Sequence, residues 1–171
     1  MIAGIVGAGQ DKFTPKGEER AKLLLEGILA GLVILGKLTD EKVVIRSGHS
    51  IMKGIDIWAE EKAKKAGIET DIKWPKTFDG RLEDETHRSS WSAPYGYKAR
   101  NLDIAASEEV YIIVADTYPP NFPEKEKTLR DGKQYCYHCN KYDHVKSGGC
   151  YTGKEALKLG NNATWHIVPN Y

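Results

Sequence analysis

The stretch IAGIVGAG at positions 2–9 decides the fold, because a short apolar run that ends in Gly-Ala-Gly is typical of a buried strand entering a tight turn. Thr14 and Pro15 follow as a predicted N-cap and first helical residue. Gly36 can end this helix. The apolar residues that recur on one face of the helix are Ala21, Leu24, Leu25, Ile28 and Leu32.

The same alternation continues along the first half of the chain. A β-branched run at 42–46 predicts a second strand, positions 52–66 predict a helix that ends before Gly67, and positions 68–73 predict a third strand. The order is therefore β-α-β-α-β, with helices long enough to be crossovers. This order favours a parallel sheet with helices on both faces.

The second half repeats the pattern around a long irregular segment. Positions 75–94 predict a polar loop, and 116–149 lack any periodicity, which is unusual unless such a segment is functional or stapled. The remaining predicted elements are a helix at 95–106, a strand at 110–115, a helix at 152–159 and a strand at 164–168. We therefore predict one doubly wound, Rossmann-like α/β domain over residues 1–171, with about five parallel strands and a zinc-stapled insertion at 117–150.

Composition restricts the classes of function. The chain has 171 residues and a formal charge of +1, so no global cationic field favours nucleic acid. No apolar run approaches the roughly 18 residues of a membrane span, and the N-terminus has no basic signal-peptide region. The odd count of three cysteines, all between 136 and 150, disfavours a disulfide scaffold. A soluble, cytoplasmic protein is the expectation.

The cysteines belong to a pattern that is typical of a metal site. Cys136-x2-Cys139-x4-His144-x5-Cys150 offers three sulfurs and one imidazole, which is a donor set for tetrahedral Zn²⁺. His138 is an alternative nitrogen ligand, and three unrelated reduced thiols are the other interpretation. Four protein ligands leave no open coordination position, so the predicted role of the zinc is structural.

Three glycine-containing turns follow predicted strands, at 7–9, 47–50 and 147–149. In a doubly wound sheet such turns lie at one edge, and glycine lets the backbone approach a phosphate beside a helix N-terminus. The resulting candidate ligand-binding residues are Gly7, Gly9, Ser47, Gly48, His49, Ser50, Ser147, Gly148 and Gly149.

Three motifs carry a resemblance to a known family. SGHSIMKGIDIWAE at 47–60 resembles the first signature of the SLOG superfamily of Rossmann-like nucleotide-binding proteins, and GGCYTGKE at 148–155 resembles the second, Gly-Gly-x-Gly-Thr-x-x-Glu. KARN at 98–101 is similar to an Arg-containing helix of the Lonely-guy phosphoribohydrolases in that superfamily. The chain departs from the pattern at Tyr151, where the second signature has its third glycine, and at Ser-Gly-His in place of two adjacent glycines.

The resemblance implies roles for particular residues. Glu155 would be the catalytic carboxylate for an N-glycosidic bond, with Arg100 holding phosphate or polarising the leaving base. In the alternative interpretation, Thr152 and Glu155 form a capping box at a helix start. Asp56 could accept hydrogen bonds from a ribose, or it could be a first-turn acid favoured by the helix dipole. Asp116 is expected to line the pocket by its position, with a loop-starting residue as the alternative, and Thr152 is a further candidate ligand-binding residue.

Several functions stay open at this level. The preferred one is binding of a nucleotide or nucleotide-derived small molecule, with hydrolysis or transfer at its N-glycosidic bond as one version. A non-catalytic nucleotide sensor or sequestering protein is the alternative, and a DNA-associated module is a weaker one. Relatives that dimerise through helices flanking the sheet suggest a homodimer.

Overall fold

The computed structural model describes all 171 residues. Its helices are α1 (Pro15–Thr39), α2 (Ile55–Lys65), α3 (Tyr97–Ala105) and α4 (Gly149–Lys158). Its strands are β1 (Ile2–Gly7), β2 (Val44–Gly48), β3 (Glu69–Lys73), β4 (Glu109–Ala115), β5 (Leu129–Arg130), β6 (Lys133–Gln134) and β7 (Asn162–Val168).

The main sheet has five parallel strands in the order β3-β2-β1-β4-β7. The chain first moves outward from β1 to β2 and β3, and then returns to place β4 and β7 on the other side. The strand order therefore reverses between β1 and β4, which are paired in parallel up to Gly7 and Ile113. Ligands of doubly wound proteins bind at this reversal, outside the carboxyl ends of the strands. The predicted fold class is confirmed.

Two apolar layers cover the sheet because neighbouring strand residues point to opposite faces. Ile5 and Ile113 pack beneath α1 and α2, whereas Val6 and Ile112 pack beneath α3 and α4. Their side chains are almost completely buried. Both faces are therefore closed by helices, and the strand ends are left to form a site.

The starts of two helices differ from the prediction. α2 begins at Ile55 and not at Met52, because Lys53 and Gly54 adopt left-handed conformations with φ values of 55° and 90°. α4 begins at Gly149, three residues before the predicted start. Thr152 consequently lies inside the helix, so the capping-box interpretation of Thr152 and Glu155 is wrong.

The insertion is more ordered than its composition indicates. β5 and β6 form an antiparallel hairpin whose turn residues, Asp131 and Gly132, both have positive φ values, 52° and 72°. A two-residue turn of this kind matches the twist of the flanking strands. None of the helices, including the 25-residue α1, combines the length and sustained apolar character of a bilayer span.

We expect Thr14→Ala to lower the free energy of unfolding by about 1–2 kcal/mol. The Thr14 Oγ1 atom accepts a hydrogen bond from the Gly17 amide at 3.1 Å and caps α1 as predicted. Thr39→Ala is the matched control, because the Thr39 hydroxyl bonds only to Leu35 of its own helix and should change stability by less than about 0.5 kcal/mol. Urea unfolding followed by circular dichroism measures both, and equal losses would contradict a capping role.

Candidate functional site

A crevice of about 220 Å³ lies at the carboxyl ends of the strands. Its walls come from the turn after β1, the loop between β2 and α2, the side of α3, and the loop that enters α4. The lining residues are Val6, Gly7, Ala8, Gly9, Asp11, Lys12, Ser50, Met52, Lys53, Asp56, Arg100, Asn101, Lys146, Ser147, Gly148 and Gly149. The first and third glycine turns therefore meet, as predicted, and the second contributes Ser50.

Two of these glycines are required by the close approach of backbones. A Cβ atom on Gly149 would lie 3.1 Å from both the N and Cα atoms of Gly7, and one on Gly7 would overlap the Ile113 carbonyl and the Ile55 side chain. The N-terminus of α4 therefore rests directly on the end of β1. A substitution at Gly149 would disturb this packing as well as any ligand. Gly148 is different, since a Cβ there would meet only the Asn101 side chain, at 3.8 Å.

The crevice presents hydrogen-bond donors and positive charge. The backbone amides of Gly9 and Gly148 donate to no protein acceptor, whereas the Gly149 amide donates to Ser147 Oγ at 3.1 Å. The cationic lining residues are Lys12, Lys53, Arg100 and Lys146, against two acids, Asp11 and Asp56. Lys12 pairs with Asp11. Free amides beside unneutralised cations are the elements of an anion site.

A buried ion pair forms the floor of the crevice. Arg100 Nη1 lies 3.2 Å from Asp56 Oδ2, and both side chains are about nine-tenths buried. Arg100 Nε also donates to Asn101 Oδ1 at 3.0 Å. Burial raises the pKa of Asp56 to about 7, against the opposing influence of Arg100. Burial thus opposes the ionisation of Asp56, and a protonated Asp56 would leave the positive charge of Arg100 unbalanced at the crevice.

A second cavity, of about 590 Å³, adjoins the crevice on the α3 side. The two cavities share Arg100, Asn101, Lys146 and Gly148. The residues that line only the second cavity are Trp91, Tyr97, Tyr137 and His138. Its walls are thus aromatic, whereas those of the crevice are glycine-rich and charged.

Several predicted ligand-binding residues do not line the crevice. Ser47 is buried beneath it, where its hydroxyl bonds to the carbonyls of Ile5 and Asp56, and Gly48 packs under the Arg100 guanidinium. His49 turns away, because its ring stacks on Trp74 with a centroid distance of 3.6 Å. Its Nδ1 atom lies 3.1 Å from Oε2 of the buried Glu60, and burial raises the pKa of Glu60. Ser47, Gly48 and His49 therefore pack outside the crevice and support the loop between β2 and α2.

Three further predicted residues, Asp116, Thr152 and Glu155, also lie outside the crevice. Asp116 accepts a hydrogen bond from the Asn170 amide at 2.9 Å and ties the C-terminal segment to β4. Thr152 is fully buried within α4, and its Oγ1 atom has no hydrogen-bond partner. Glu155 pairs with Lys158 at 2.6 Å on the same helix and lines neither cavity. The structure therefore brings Arg100 into the crevice but not Glu155, whose catalytic role stays a prediction without a contact to the site.

Some lining residues were missed by the sequence reasoning. Asn101 directly follows Arg100, and Lys146 directly precedes the third glycine turn, so their neighbours were the available signals. Lys53 enters the crevice because of its left-handed backbone, which has no clear sequence signal in a lysine. The aromatic residues of the second cavity come from two stretches of sequence, 91–97 and 137–138, and only the tertiary fold brings these stretches together.

The four predicted metal ligands converge beside the crevice. The donor atoms of Cys136, Cys139, His144 and Cys150 all lie within 4.8 Å of one another. His144 Nε2 is 3.2 Å from Cys139 Sγ and 3.3 Å from Cys150 Sγ. A tetrahedral zinc with ordinary bond lengths separates sulfur and nitrogen ligands by roughly 3.5 Å, so the donor set fits. His138 lies outside the group, and His144 is the nitrogen donor.

Neighbouring groups prepare these donors. His144 Nδ1 lies 2.6 Å from Asp143 Oδ1, a contact that orients the ring. A hydrogen bond from Cys150 lowers the pKa of Cys136 to about 3 and also lowers the pKa of Cys139. Burial lowers the pKa of His144, but hydrogen bonds with Cys136 and Asp143 outweigh it and raise the pKa to about 9. A metal that binds at neutral pH would therefore displace the His144 proton.

Fold and site together define a doubly wound α/β protein with a crevice at its topological switch point and a Cys3His cluster that could hold a metal ion. DNA processing protein A (DprA) from Streptococcus pneumoniae is similar in structure, with a TM-score of 0.50 and 16% identity over 95% of this chain. The present chain covers 49% of that one, so it spans about half its length. This likeness is one of fold, a Rossmann-like α/β sheet flanked by helices.

A second similar structure is the molybdenum cofactor binding protein from the phototrophic bacterium Rippkaea orientalis. Its TM-score is 0.49, with 16% identity over 97% of this chain and 76% of that chain. No protein-family model matches the sequence, and no curated protein matches it.

We expect Asp56→Asn to change the pH dependence of stability. A carboxyl whose folded-state pKa is raised stabilises the fold while it is protonated, and this contribution is lost as pH rises from about 4 through about 7. The melting temperature of the wild type should therefore fall relative to that of Asp56→Asn between pH 5 and pH 8. Glu61→Gln removes an exposed carboxylate from the same helix and serves as control. A constant difference between Asp56→Asn and wild type across this range would contradict the burial argument.

Proposed function

We propose that the protein binds a phosphate-bearing small molecule of the nucleotide type in the crevice. The observation that carries this proposal is the convergence of unpaired glycine amides and the buried Arg100 at the carboxyl ends of β1 and β4. Glycine turns before helix N-termini bind phosphate in other doubly wound proteins, for the same physical reasons.

The electrostatics support an anionic ligand. Arg100 is held from behind by Asp56 and Asn101, so its guanidinium has a fixed direction before any ligand arrives. Lys53 and Lys146 flank the same space from opposite loops. A bound phosphate would neutralise the positive charge of Arg100 that a protonated Asp56 does not, and its negative charge would itself favour the neutral form of Asp56.

We further propose that the Cys3His cluster holds a structural zinc ion. Three sulfurs and one imidazole are a set that zinc prefers, and four protein ligands leave no position for substrate. Cys150 is the second residue of α4 and directly follows Gly149 of the crevice. The metal would therefore hold the insertion and the third glycine turn in one place.

Binding is favoured over cleavage of an N-glycosidic bond. The carboxylate that the resemblance implies, Glu155, pairs with Lys158 outside the crevice. Asp56 is the only carboxyl in the floor of the crevice, and its contact with Arg100 serves to position that cation. A sensor or sequestering protein for a nucleotide therefore accounts for the geometry with fewer assumptions.

Two other expectations stay predictions. The homodimer expected by analogy has no direct support, although α1 flanks the sheet and exposes Leu23, Ile34 and Leu38 on its surface. DNA association rests on likeness of fold alone, and the formal charge of +1 gives it no support. Neither is needed to explain the crevice.

The metal proposal predicts close to one zinc per chain in protein purified without chelators. His144→Ala should reduce the zinc content and lower the melting temperature, because it removes the nitrogen ligand. His138→Ala is the matched control, since His138 belongs to the same insertion but not to the donor group, and it should retain the metal. Elemental analysis measures the zinc content of the wild type and of the two variants. Folded wild-type protein without zinc would contradict the proposal.

The phosphate proposal is tested by removing the cation of the buried pair without leaving a buried carboxylate. The variant is Arg100→Met in an Asp56→Asn background. Calorimetry with AMP, GMP, CMP and UMP, and with the corresponding nucleosides, measures binding. Loss of a charge-assisted contact worth about 1.5–3 kcal/mol should weaken nucleotides by roughly tenfold or more, and nucleosides by less than about threefold.

Asp56→Asn alone is the control for this experiment, since it keeps Arg100 and should bind nucleotides within a few-fold of the wild type. An equal loss for nucleotides and nucleosides would show that Arg100 supports the fold and does not contact the phosphate. The absence of binding for the whole panel by the wild type would contradict nucleotide binding.

A further inference from the structure

The cavity next to the crevice carries aromatic residues that take no part in the phosphate site, and its chemistry differs from that of the crevice. It has a volume of about 590 Å³ and is lined by rings from two stretches that are distant in sequence, 91–97 and 137–138. Trp91 comes from the polar segment before α3, Tyr97 from α3, and Tyr137 and His138 from the insertion. Aromatic side chains that face an open cavity are typical of sites for planar ligands.

We propose that this cavity binds the base of the nucleotide, stacked against Trp91 and Tyr137. The inference rests on the proposed function, because it assigns the second half of the ligand whose phosphate lies in the crevice. The shared wall of Arg100, Asn101, Lys146 and Gly148 joins the two cavities. A molecule with an anionic end and a planar aromatic end matches this change from charge to rings.

The two principal rings are held in place and are still accessible. Trp91 is 39% exposed, although it makes an edge contact with Tyr151 at 4.9 Å and a tilted contact with His138 at 5.7 Å between ring centroids. Tyr137 is 50% exposed and packs against His138 at 4.4 Å. Both rings therefore contact neighbouring rings and still leave part of their surface open to a base.

Hydrogen bonds hold the remaining wall of the cavity in place. The Tyr97 hydroxyl donates to Glu83, a buried carboxylate that also accepts the Ser89 amide at 3.1 Å. These bonds fasten the segment that carries Trp91 to the helix that carries Arg100. Lys146 Nζ lies 5.0 Å from the centroid of the Tyr137 ring, so one cation borders both the ring and the crevice.

The Cys3His cluster positions the other side of the cavity. Tyr137 and His138 lie between the first two cysteines, Cys136 and Cys139, whose sulfurs converge on His144 and Cys150. The short loop that carries the two rings is closed at its base by the hydrogen bond from the Asn140 amide to the Cys136 carbonyl, at 2.8 Å. The insertion thus contributes recognition surface, and the metal ligands determine where that surface lies.

The test compares ligands with and without a base. Calorimetry with wild-type protein uses ribose 5-phosphate, the four nucleoside monophosphates AMP, GMP, CMP and UMP, and their nucleosides. At least one nucleotide should bind about tenfold or more tightly than ribose 5-phosphate, as expected for stacking of one base on aromatic rings. In Trp91→Ala and in Tyr137→Ala this advantage should fall by at least about fivefold, while the affinity for ribose 5-phosphate stays within twofold.

Two further variants keep the result specific. Tyr142→Ala removes another exposed tyrosine of the same insertion, one that packs against Tyr135 outside the cavity, and it should bind every ligand as the wild type does. Trp91→Phe keeps an aromatic face and should retain most of the advantage. Circular dichroism and zinc content identify any variant that fails to fold, in which case the other single variant decides.

The outcomes separate this inference from the proposal on which it rests. Ribose 5-phosphate binding without any gain from a base, or an unchanged gain in both alanine variants, would overturn the base cavity and leave the phosphate crevice intact. Nucleoside binding that depends on Trp91 without any binding of ribose 5-phosphate would overturn the crevice alone. Binding of a single-stranded oligonucleotide such as dT10, with none of the mononucleotides, would overturn both in favour of a nucleic-acid surface.

Discussion

The meeting of two glycine backbones, where β1 ends and α4 begins, is the constraint on which the site depends. A Cβ atom on Gly149 would lie 3.1 Å from the backbone of Gly7, so the helix can approach the strand this closely because Gly149 carries no side chain. This approach directs the N-terminus of α4 into the crevice and places Cys150 among the metal ligands. Sheet, crevice and insertion therefore share a single point of contact.

Electrostatics at this point follow from burial. Asp56 and Arg100 face each other on helices from opposite sides of the sheet. Burial of the pair raises the pKa of the Asp56 carboxyl. A fully charged partner would neutralise Arg100, whereas a partly protonated one leaves positive charge available to a ligand. The pair is thus better understood as a means of orienting the guanidinium than as a source of stability, since buried ion pairs contribute little net stabilisation.

The insertion joins the site through chemistry that the sheet lacks. Residues 117–150 contain too few apolar side chains to form a core of their own, and the Cys3His group offers a substitute. The rings between its first two cysteines line the cavity that adjoins the crevice, so the insertion adds an aromatic wall to the strand ends of the sheet. Likeness of fold to DNA processing protein A accounts for the sheet and says nothing about this wall.

The local patterns of the sequence determined the element types, the parallel sheet and the four residues of the Cys3His group that could hold a metal ion. Each depends on neighbours in sequence, as with the cap of α1 at Thr14 or the spacing of Cys136 and Cys139. The start of α4 was misplaced because Thr152 and Glu155 imitate a capping box, while the actual start depends on contact between Gly149 and Gly7. His49 was predicted to line the crevice but does not, because its ring stacks on Trp74, a residue of another segment. Only the tertiary structure decided which glycine turns meet, that Lys53 enters the crevice, and that Trp91 and Tyr137 share a cavity. Contacts of this kind leave no periodic trace in the chain, because they depend on where separate segments are brought together in space.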